Sequence, residues 1–96
     1  MSEIRTAPIV AALLNKGFIR PAGRDHEYFF FHYRGKKTAV FTRISHGQRT
    51  ADDWLIGKMA GQLRLTKREF LSFVECTLSG PRYAQLLVDR GAVRPA

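Results

Sequence analysis

The sequence predicts an α+β domain in which helices precede and follow a three-stranded antiparallel sheet. Three observations support this fold class. Apolar residues recur at helical spacing near both ends, aromatic and β-branched residues concentrate between positions 18 and 44, and short polar or glycine-containing links separate these segments. A chain of 96 residues suits one hydrophobic core, so a single domain over residues 1–96 is expected.

The first helix is predicted to begin at Thr6, whose hydroxyl can cap the helix, and to tolerate Pro8 in its first turn. Gly17 provides a stop for this helix. The apolar residues predicted on one face of the helix are Ile9, Val10, Leu13 and Leu14.

Three extended segments follow, at residues 18–20, 25–33 and 37–44, and each contains β-branched or aromatic side chains. The first is short because Pro21 ends it. The link at residues 34–36 is short enough to join the other two segments as an antiparallel hairpin.

The long middle segment carries aromatic side chains on both faces. Alternation along the strand divides its side chains between the two faces. One face carries His26, Tyr28, Phe30 and His32, and the other carries Glu27, Phe29, Phe31 and Tyr33. Such a sheet normally buries one face and leaves the other in water. Three explanations of the second aromatic face stay open: cover by the C-terminal helices, cover by another protein chain, or stacking of RNA bases.

Three more helices are predicted after a loop at residues 45–49. Residues 50–53 and 66–69 resemble capping boxes, and residues 79–81 open the last helix, which Gly91 closes. The residues expected on their apolar sides are Trp54, Leu55, Met59 and Leu63 in the first, Phe70, Leu71, Val74 and Leu78 in the second, and Tyr83, Leu86 and Leu87 in the third.

Charge is the most informative feature of the composition. Sixteen Lys and Arg against eight Asp and Glu give a net charge of +8, and nine of the basic residues lie in the first fifty positions with three of the acidic ones. Such a distribution fits a polyanionic partner such as nucleic acid, although charge kept for solubility gives the same composition.

The composition also indicates a cytoplasmic protein without membrane segments. No apolar run approaches the roughly 20 residues that span a bilayer, and the first residues lack the pattern of a signal peptide. Cys76 is the only cysteine, so no internal disulfide can form, and a buried position in a helix is expected for it.

His26 is the candidate catalytic residue, because a near-neutral imidazole can transfer protons during phosphodiester cleavage. RNA supplies its 2′-hydroxyl as an internal nucleophile, so this chemistry requires no metal and no cofactor. The cations available to hold phosphate are Arg24, Lys36, Lys37 and Arg43. A histidine that begins a strand is, however, more often an ordinary hydrogen-bonding residue. The three histidines have no metal-ligand spacing, and no phosphate-binding glycine loop is present.

The order of these features resembles the HicA family of toxins from toxin–antitoxin systems. The resemblance covers residues 7–64 and depends on Lys16-Gly17-Phe18, on a glycine-led His26-x-x-Phe29 strand, on Ser45-His46, and on a following helix. It implies a fold like that of a double-stranded-RNA-binding domain, α-β-β-β-α, and an mRNA interferase neutralised by a HicB-like antitoxin. It also implies that His26 is the catalytic histidine. His46 resembles a second, less essential histidine of the family and is expected to contribute to nucleic-acid binding.

Two departures from the family pattern accompany this resemblance. Ile44 stands where the family favours proline, and Arg24 and Asp25 separate Gly23 from His26. The predicted helices at residues 65–93 also extend beyond the compact family members. They superficially resemble a helix-turn-helix, in which Arg82, Gln85 and Arg90 would face DNA, but cover for the sheet or a dimer interface is the preferred interpretation.

Three functions follow in order of preference. The first is an RNA-cleaving toxin that binds RNA across the basic hairpin. The second is a non-catalytic nucleic-acid-binding module on the same fold, and the third is a protein-interaction module, such as a homodimer, that uses the aromatic face.

Overall fold

The computed structural model describes residues 3–21, 26–45, 47–75 and 77–94, with only the backbone of His26. Its elements are β1 (Ile4–Arg5), α1 (Thr6–Asn15), β2 (Phe18–Ile19), β3 (His26–Tyr33), β4 (Lys36–Ser45), β5 (Thr50–Ala51), α2 (Asp53–Gln62), α3 (Lys67–Val74) and α4 (Gly80–Asp89). The predicted α+β class is confirmed, with an antiparallel sheet of order β2-β3-β4. The two-residue strands β1 and β5 pair separately and were not predicted, because two residues are too few to show a period.

The β3–β4 hairpin forms where the sequence predicts it. Its connection is the two-residue turn of Arg34 and Gly35, with φ angles of 52° and 82°. Positive φ at both positions is the requirement of a type I′ turn, whose twist matches that of the paired strands. An irregularity of the ladder between Phe30 and His32 lies close to this turn.

All four helices contribute to one buried cluster, which covers a single face of the three-stranded sheet. The sheet residues buried in this cluster are Phe18, Phe29, Phe31, Val40 and Ile44. Phe73 of α3 and Tyr83 of α4 contact Phe18, with ring centroids 6.2 and 5.9 Å away. The C-terminal helices therefore lie on the Phe29 face, and the suggestion that they cover the opposite aromatic face is wrong.

Tyr83 is the centre of the aromatic part of this core. Its ring is fully buried, with centroids 5.4 Å from Phe31 and 5.0 Å from Phe73. Its hydroxyl donates a hydrogen bond of 3.0 Å to the carbonyl of Leu63, at the end of α2. Burial raises the pKa of the Tyr83 phenol. One side chain thus links the sheet to α2 and α3.

Lys16 connects the end of α1 to the segment between α3 and α4. The side chain is buried, and its Nζ donates hydrogen bonds to the carbonyls of Phe73 and Leu78, the latter at 2.7 Å. The Phe73 carbonyl belongs to the last turn of α3, where carbonyls lack partners within the helix. A lysine here supplies donors, and its positive charge suits the negative end of the helix dipole.

Two predicted helix starts differ from the observed ones. Thr6 is the first residue of α1 and not its cap; its hydroxyl donates to the carbonyl of Gln48 at 2.7 Å. Asp52 caps α2 by accepting from the Leu55 amide, because Thr50 is held in β5 by its pairing with Arg5. The predicted helix starts at residues 66–69 and 79–81 are confirmed; the Thr66 capping box is complete, and Ser79 caps α4.

Two residues predicted on apolar helix faces are exposed instead. Trp54 is 70% exposed and Leu14 is 43% exposed. No helix in the described part of the chain is long and apolar enough to cross a bilayer. Cys76 lies outside the described residues.

An ion pair closes the side of the α3–α4 layer. The Arg90 guanidinium donates to both carboxylate oxygens of Glu69, at 2.9 and 2.7 Å, and to the carbonyl of Arg64 at 2.6 Å. Gln85 similarly donates to Asp89 at 2.8 Å. Two of the three side chains that a helix-turn-helix would direct at DNA are therefore engaged within the protein.

The pair makes stability depend on pH in a defined direction. Hydrogen bonds from Arg90 lower the pKa of Glu69 from 4.5 to about 2. The resulting stabilisation is complete above pH 4.5 and is lost as the pH falls towards 2. Since the two side chains are 36% and 31% exposed, we expect Glu69→Gln to cost about 0.5–1 kcal/mol at pH 6.

Urea unfolding of wild type and Glu69→Gln at pH 6 and pH 3 measures this difference. Glutamine keeps the capping acceptor at this position, so the variant isolates the charge. The difference in unfolding free energy between the two proteins should shrink at pH 3. Glu75→Gln, on an exposed side chain at the other end of α3, is the control; a gap for Glu69→Gln as large at pH 3 as at pH 6 would contradict the prediction.

Candidate nucleic-acid interface

A cleft of about 290 Å³ opens between the end of β4 and one side of α2, along which Trp54, Lys58 and Gln62 line it. Its polar and aromatic walls come from β4, from the loop after it and from α2. The residues that give the cleft its chemistry are Arg43, Ser45, Gln48, Trp54, Lys58 and Gln62. Asp52 also lines it, but one of its carboxylate oxygens accepts from the Leu55 amide at 2.9 Å. The cleft thus combines two cations, one carboxylate, two amides and an exposed indole.

The α2 wall of the cleft is an aromatic residue with a cation one turn away. Trp54 and Lys58 stand four positions apart, so they share one side of the helix. The Lys58 Nζ lies 5.0 Å from the centroid of the Trp54 ring, within the range of a cation–π contact. Trp54 is available to a flat ligand because most of its surface is in water. An exposed tryptophan beside a lysine is suited to stack on a base and to meet a phosphate.

The β4 wall lies next to the beginning of β3. In the ladder Ser45 is opposite His26 and Arg43 is opposite Tyr28. Neighbouring strands are about 4.8 Å apart, so the backbone of His26 is adjacent to a residue that lines the cleft. Thr42, on the covered face, donates to Gln62 at 2.7 Å and fixes α2 against β4.

Three of the predicted site residues cannot be located in full. Arg24 and His46 lie outside the described residues, and so does the side chain of His26. His46 directly follows Ser45 in the chain. Of the predicted cations that the structure describes, which are Lys36, Lys37 and Arg43, only Arg43 lines the cleft.

Lys36 and Lys37 lie at the opposite end of the hairpin, where they pair with Tyr33 and His32. Lys37 and Ser45 are eight positions apart in β4, about 27 Å at the usual rise of a strand. One phosphate group cannot contact both ends. The two lysines instead line a second, shallow cavity of about 530 Å³ together with Arg34 and Arg94.

Between these ends lies the side of the sheet that the described part of the chain leaves uncovered, the "open sheet face". It consists of Ile19, Tyr28, Phe30, Lys37, Phe41 and Arg43, whose strand positions alternate with those of the buried residues. Phe41 is 36% exposed and Ile19 is 51% exposed, while Tyr28 and Phe30 are half-buried. The face is therefore a largely apolar surface between two basic regions.

Among the described residues, no three His, Cys, Asp or Glu side chains gather closely enough to hold a metal ion. Comparisons with known proteins find no matching family model, and no significantly similar curated protein or solved structure. Trp54 and Lys58 were not predicted as candidate site residues. Their spacing of four positions was the available signal, but it also fits a helix with its tryptophan in the core.

Proposed function

We propose that this chain is an RNA-binding ribonuclease of the HicA type, an mRNA interferase with a fold like that of a double-stranded-RNA-binding domain. The main support is the β3–β4 register, in which the backbone of His26 is opposite Ser45, a residue that lines the cleft. In this proposal the RNA backbone enters the cleft, Arg43 and Lys58 contact phosphate, and a base stacks on Trp54.

The proposed reaction is an internal transesterification. His26 accepts the proton of a ribose 2′-hydroxyl, the 2′-oxygen forms a bond to phosphorus, and the bond from phosphorus to the 5′-oxygen breaks. The leaving 5′-oxygen takes up a proton. The products are a 2′,3′-cyclic phosphate and a 5′-hydroxyl end, and the role of Arg43 and Lys58 is to stabilise the charge on the phosphoryl oxygens. The proposal requires no metal and no cofactor.

The proposed system includes a HicB-like antitoxin as the natural inhibitor. Such a partner would have to cover the cleft or the open sheet face to prevent access of RNA. The chain's charge of +8 favours an acidic surface on that partner. Association as a homodimer and a cytoplasmic location belong to the same proposal.

The second candidate is a non-catalytic RNA-binding module on the same surface. It is supported by the two cations and the exposed Trp54, which favour binding whether or not His26 transfers protons. Incubating the purified protein with 5′-labelled single-stranded RNA in EDTA distinguishes the two functions, because EDTA inhibits contaminating nucleases that depend on metal ions. Fragments with cyclic phosphate ends support the ribonuclease. Salt-sensitive binding without fragments supports the module, and the absence of both eliminates RNA as the ligand.

The cleft predicts a specific effect of one charge. Arg43→Gln should weaken binding of single-stranded RNA roughly ten-fold, the equivalent of about 1.4 kcal/mol for one charge-assisted contact. The slope of log affinity against log salt should become shallower by about 0.7, as one phosphate contact is lost. Fluorescence anisotropy at several salt concentrations measures both quantities.

Arg82→Gln is the matched control, because it removes the same charge from an exposed position on α4, the layer packed on the covered face. Its effect on affinity should stay within two-fold or so. Equal losses for the two variants would mean that only net charge matters and that the cleft does not bind RNA.

A further inference from the structure

The open sheet face carries three aromatic rings in near-parallel orientation. Tyr28 and Phe30 have ring centroids 6.0 Å apart and planes inclined by 9°. Phe41 lies 5.5 Å from Phe30 and 6.3 Å from Tyr28, inclined by 29° to each. Since none of the helices that the structure describes covers this side, parallel rings remain accessible to another flat group.

Cations stand at both ends of this ring cluster. The Lys37 Nζ lies 4.0 Å from the centroid of Phe30, and the Arg43 guanidinium is 3.5 Å from the Tyr28 hydroxyl. Among the described residues of the open sheet face there is no Asp or Glu. An occupant that offers flat apolar rings and negative charge together matches this surface.

We propose that the open sheet face is a stacking platform for the unpaired bases of single-stranded RNA. The inference rests on the proposed function and specifies its substrate as an unpaired strand that runs from the cleft along β4 towards Lys37. Sheets that bind RNA through exposed aromatic residues stack two or three bases, which matches the three rings here. Paired bases keep their faces inside the duplex and cannot stack on this surface.

A second copy of the chain is a poorer occupant of the same surface. A two-fold interface brings the same patch of each subunit together. It would place the Lys37 and Arg43 of one copy close to those of the other, on chains that each carry a net charge of +8. Like charges opposed at an interface weaken association, whereas the phosphates of RNA neutralise the same cations.

Binding of two non-cleavable probes tests the platform. The probes are a ten-nucleotide 2′-O-methyl oligouridine and a blunt 2′-O-methyl RNA duplex of the same length. Fluorescence anisotropy measures the binding of each probe. Phe41→Leu keeps an apolar side chain of similar size but removes the ring, and should weaken single-strand binding about five-fold or more. Its effect on the duplex probe should be within two-fold. Leu14→Ala, which trims an exposed apolar residue on α1, should change neither.

A crosslinking measurement on wild-type protein avoids dependence on any variant. A single-stranded probe containing 4-thiouridine should crosslink to residues 26–33 or 36–45 under long-wavelength ultraviolet light. Crosslinks confined to the helices would overturn the platform. Unchanged single-strand binding by Phe41→Leu would also overturn it, and so would equal losses for the two probes.

The remaining outcomes separate the platform from the proposed function. If wild type cleaves RNA and Phe41→Leu binds the single strand like wild type, the platform fails while the ribonuclease stands. If wild type neither binds nor cleaves any RNA, the proposed function fails and the platform with it. If wild type sediments as a dimer that Phe41→Glu converts to a monomer, the face is a protein interface and the platform is overturned.

Discussion

His26→Ala is expected to lower the rate of RNA cleavage by about 10²–10⁴-fold, the usual contribution of one proton-transferring side chain. Affinity for RNA should change little, because other residues, among them Arg43, Lys58 and Trp54, make the phosphate and base contacts in the proposed complex. Single-turnover cleavage of a labelled RNA in EDTA gives the rate, and anisotropy with a 2′-O-methyl probe gives the affinity. The profile of cleavage rate against pH should also lose the part that depends on protonation of the His26 imidazole.

His32→Ala provides the matched control for this experiment. His32 lies in the same strand, six positions away, and pairs with Lys37 at the far end of the hairpin. Its replacement should leave the cleavage rate within a factor of about two. If His26→Ala retains the wild-type rate, or if both variants lose it equally, His26 is not the proton-transferring residue.

Tyr83→Ala is expected to be the most destabilising single substitution considered for this chain, with a cost of about 3–5 kcal/mol. It would remove a fully buried ring that contacts Phe18, Phe31 and Phe73. Domains of this size are stable by about 5–15 kcal/mol, so the variant should unfold at much lower urea concentration. Tyr83→Phe keeps the ring but leaves the Leu63 carbonyl without its donor, at a cost of about 1–3 kcal/mol.

Trp54→Ala is the control for the two Tyr83 variants, because it removes a larger ring from a position that is 70% exposed. Its unfolding free energy should lie within about 0.5 kcal/mol of wild type. Urea unfolding monitored by far-ultraviolet circular dichroism suits all three variants, since it needs no tryptophan. A loss for Trp54→Ala as large as that for Tyr83→Ala would contradict the assignment of the core.

Short-range signals made part of the fold predictable. The link at residues 34–36, with Gly35, indicated a tight hairpin, and the Thr66 capping box marks a helix start that the structure contains. In both cases the residues that specify the structure are within four positions of each other. Such local preferences need no knowledge of the rest of the chain.

The parts that were not predicted depend on contacts between distant segments. Trp54 satisfies helical periodicity as a core residue, but Asp52 and not Thr50 starts α2, and the ring points to solvent. The choice of sheet face by α3 and α4 likewise depends on how Phe73 and Tyr83 dock against Phe18. No pattern within either helix specifies its partner.

Only part of the candidate site was predictable from the sequence, and the reason is geometric. Charge and aromatic content indicated a surface for a polyanion, and Arg43 does lie at the cleft. Lys36 and Lys37 were predicted to hold phosphate together with Arg43 because the three residues are near in sequence. An extended strand, however, moves side chains apart faster than any other regular structure.

Because the helices lie on one side of the sheet, selection for surface properties and selection for stability act on different residues of this protein. Substitutions at Tyr28, Phe30 or Phe41 alter the open sheet face and are expected to leave the buried layer, built on Phe29 and Tyr83, intact. The properties of this face can therefore be altered, by evolution or in the laboratory, without a matching loss of folding stability.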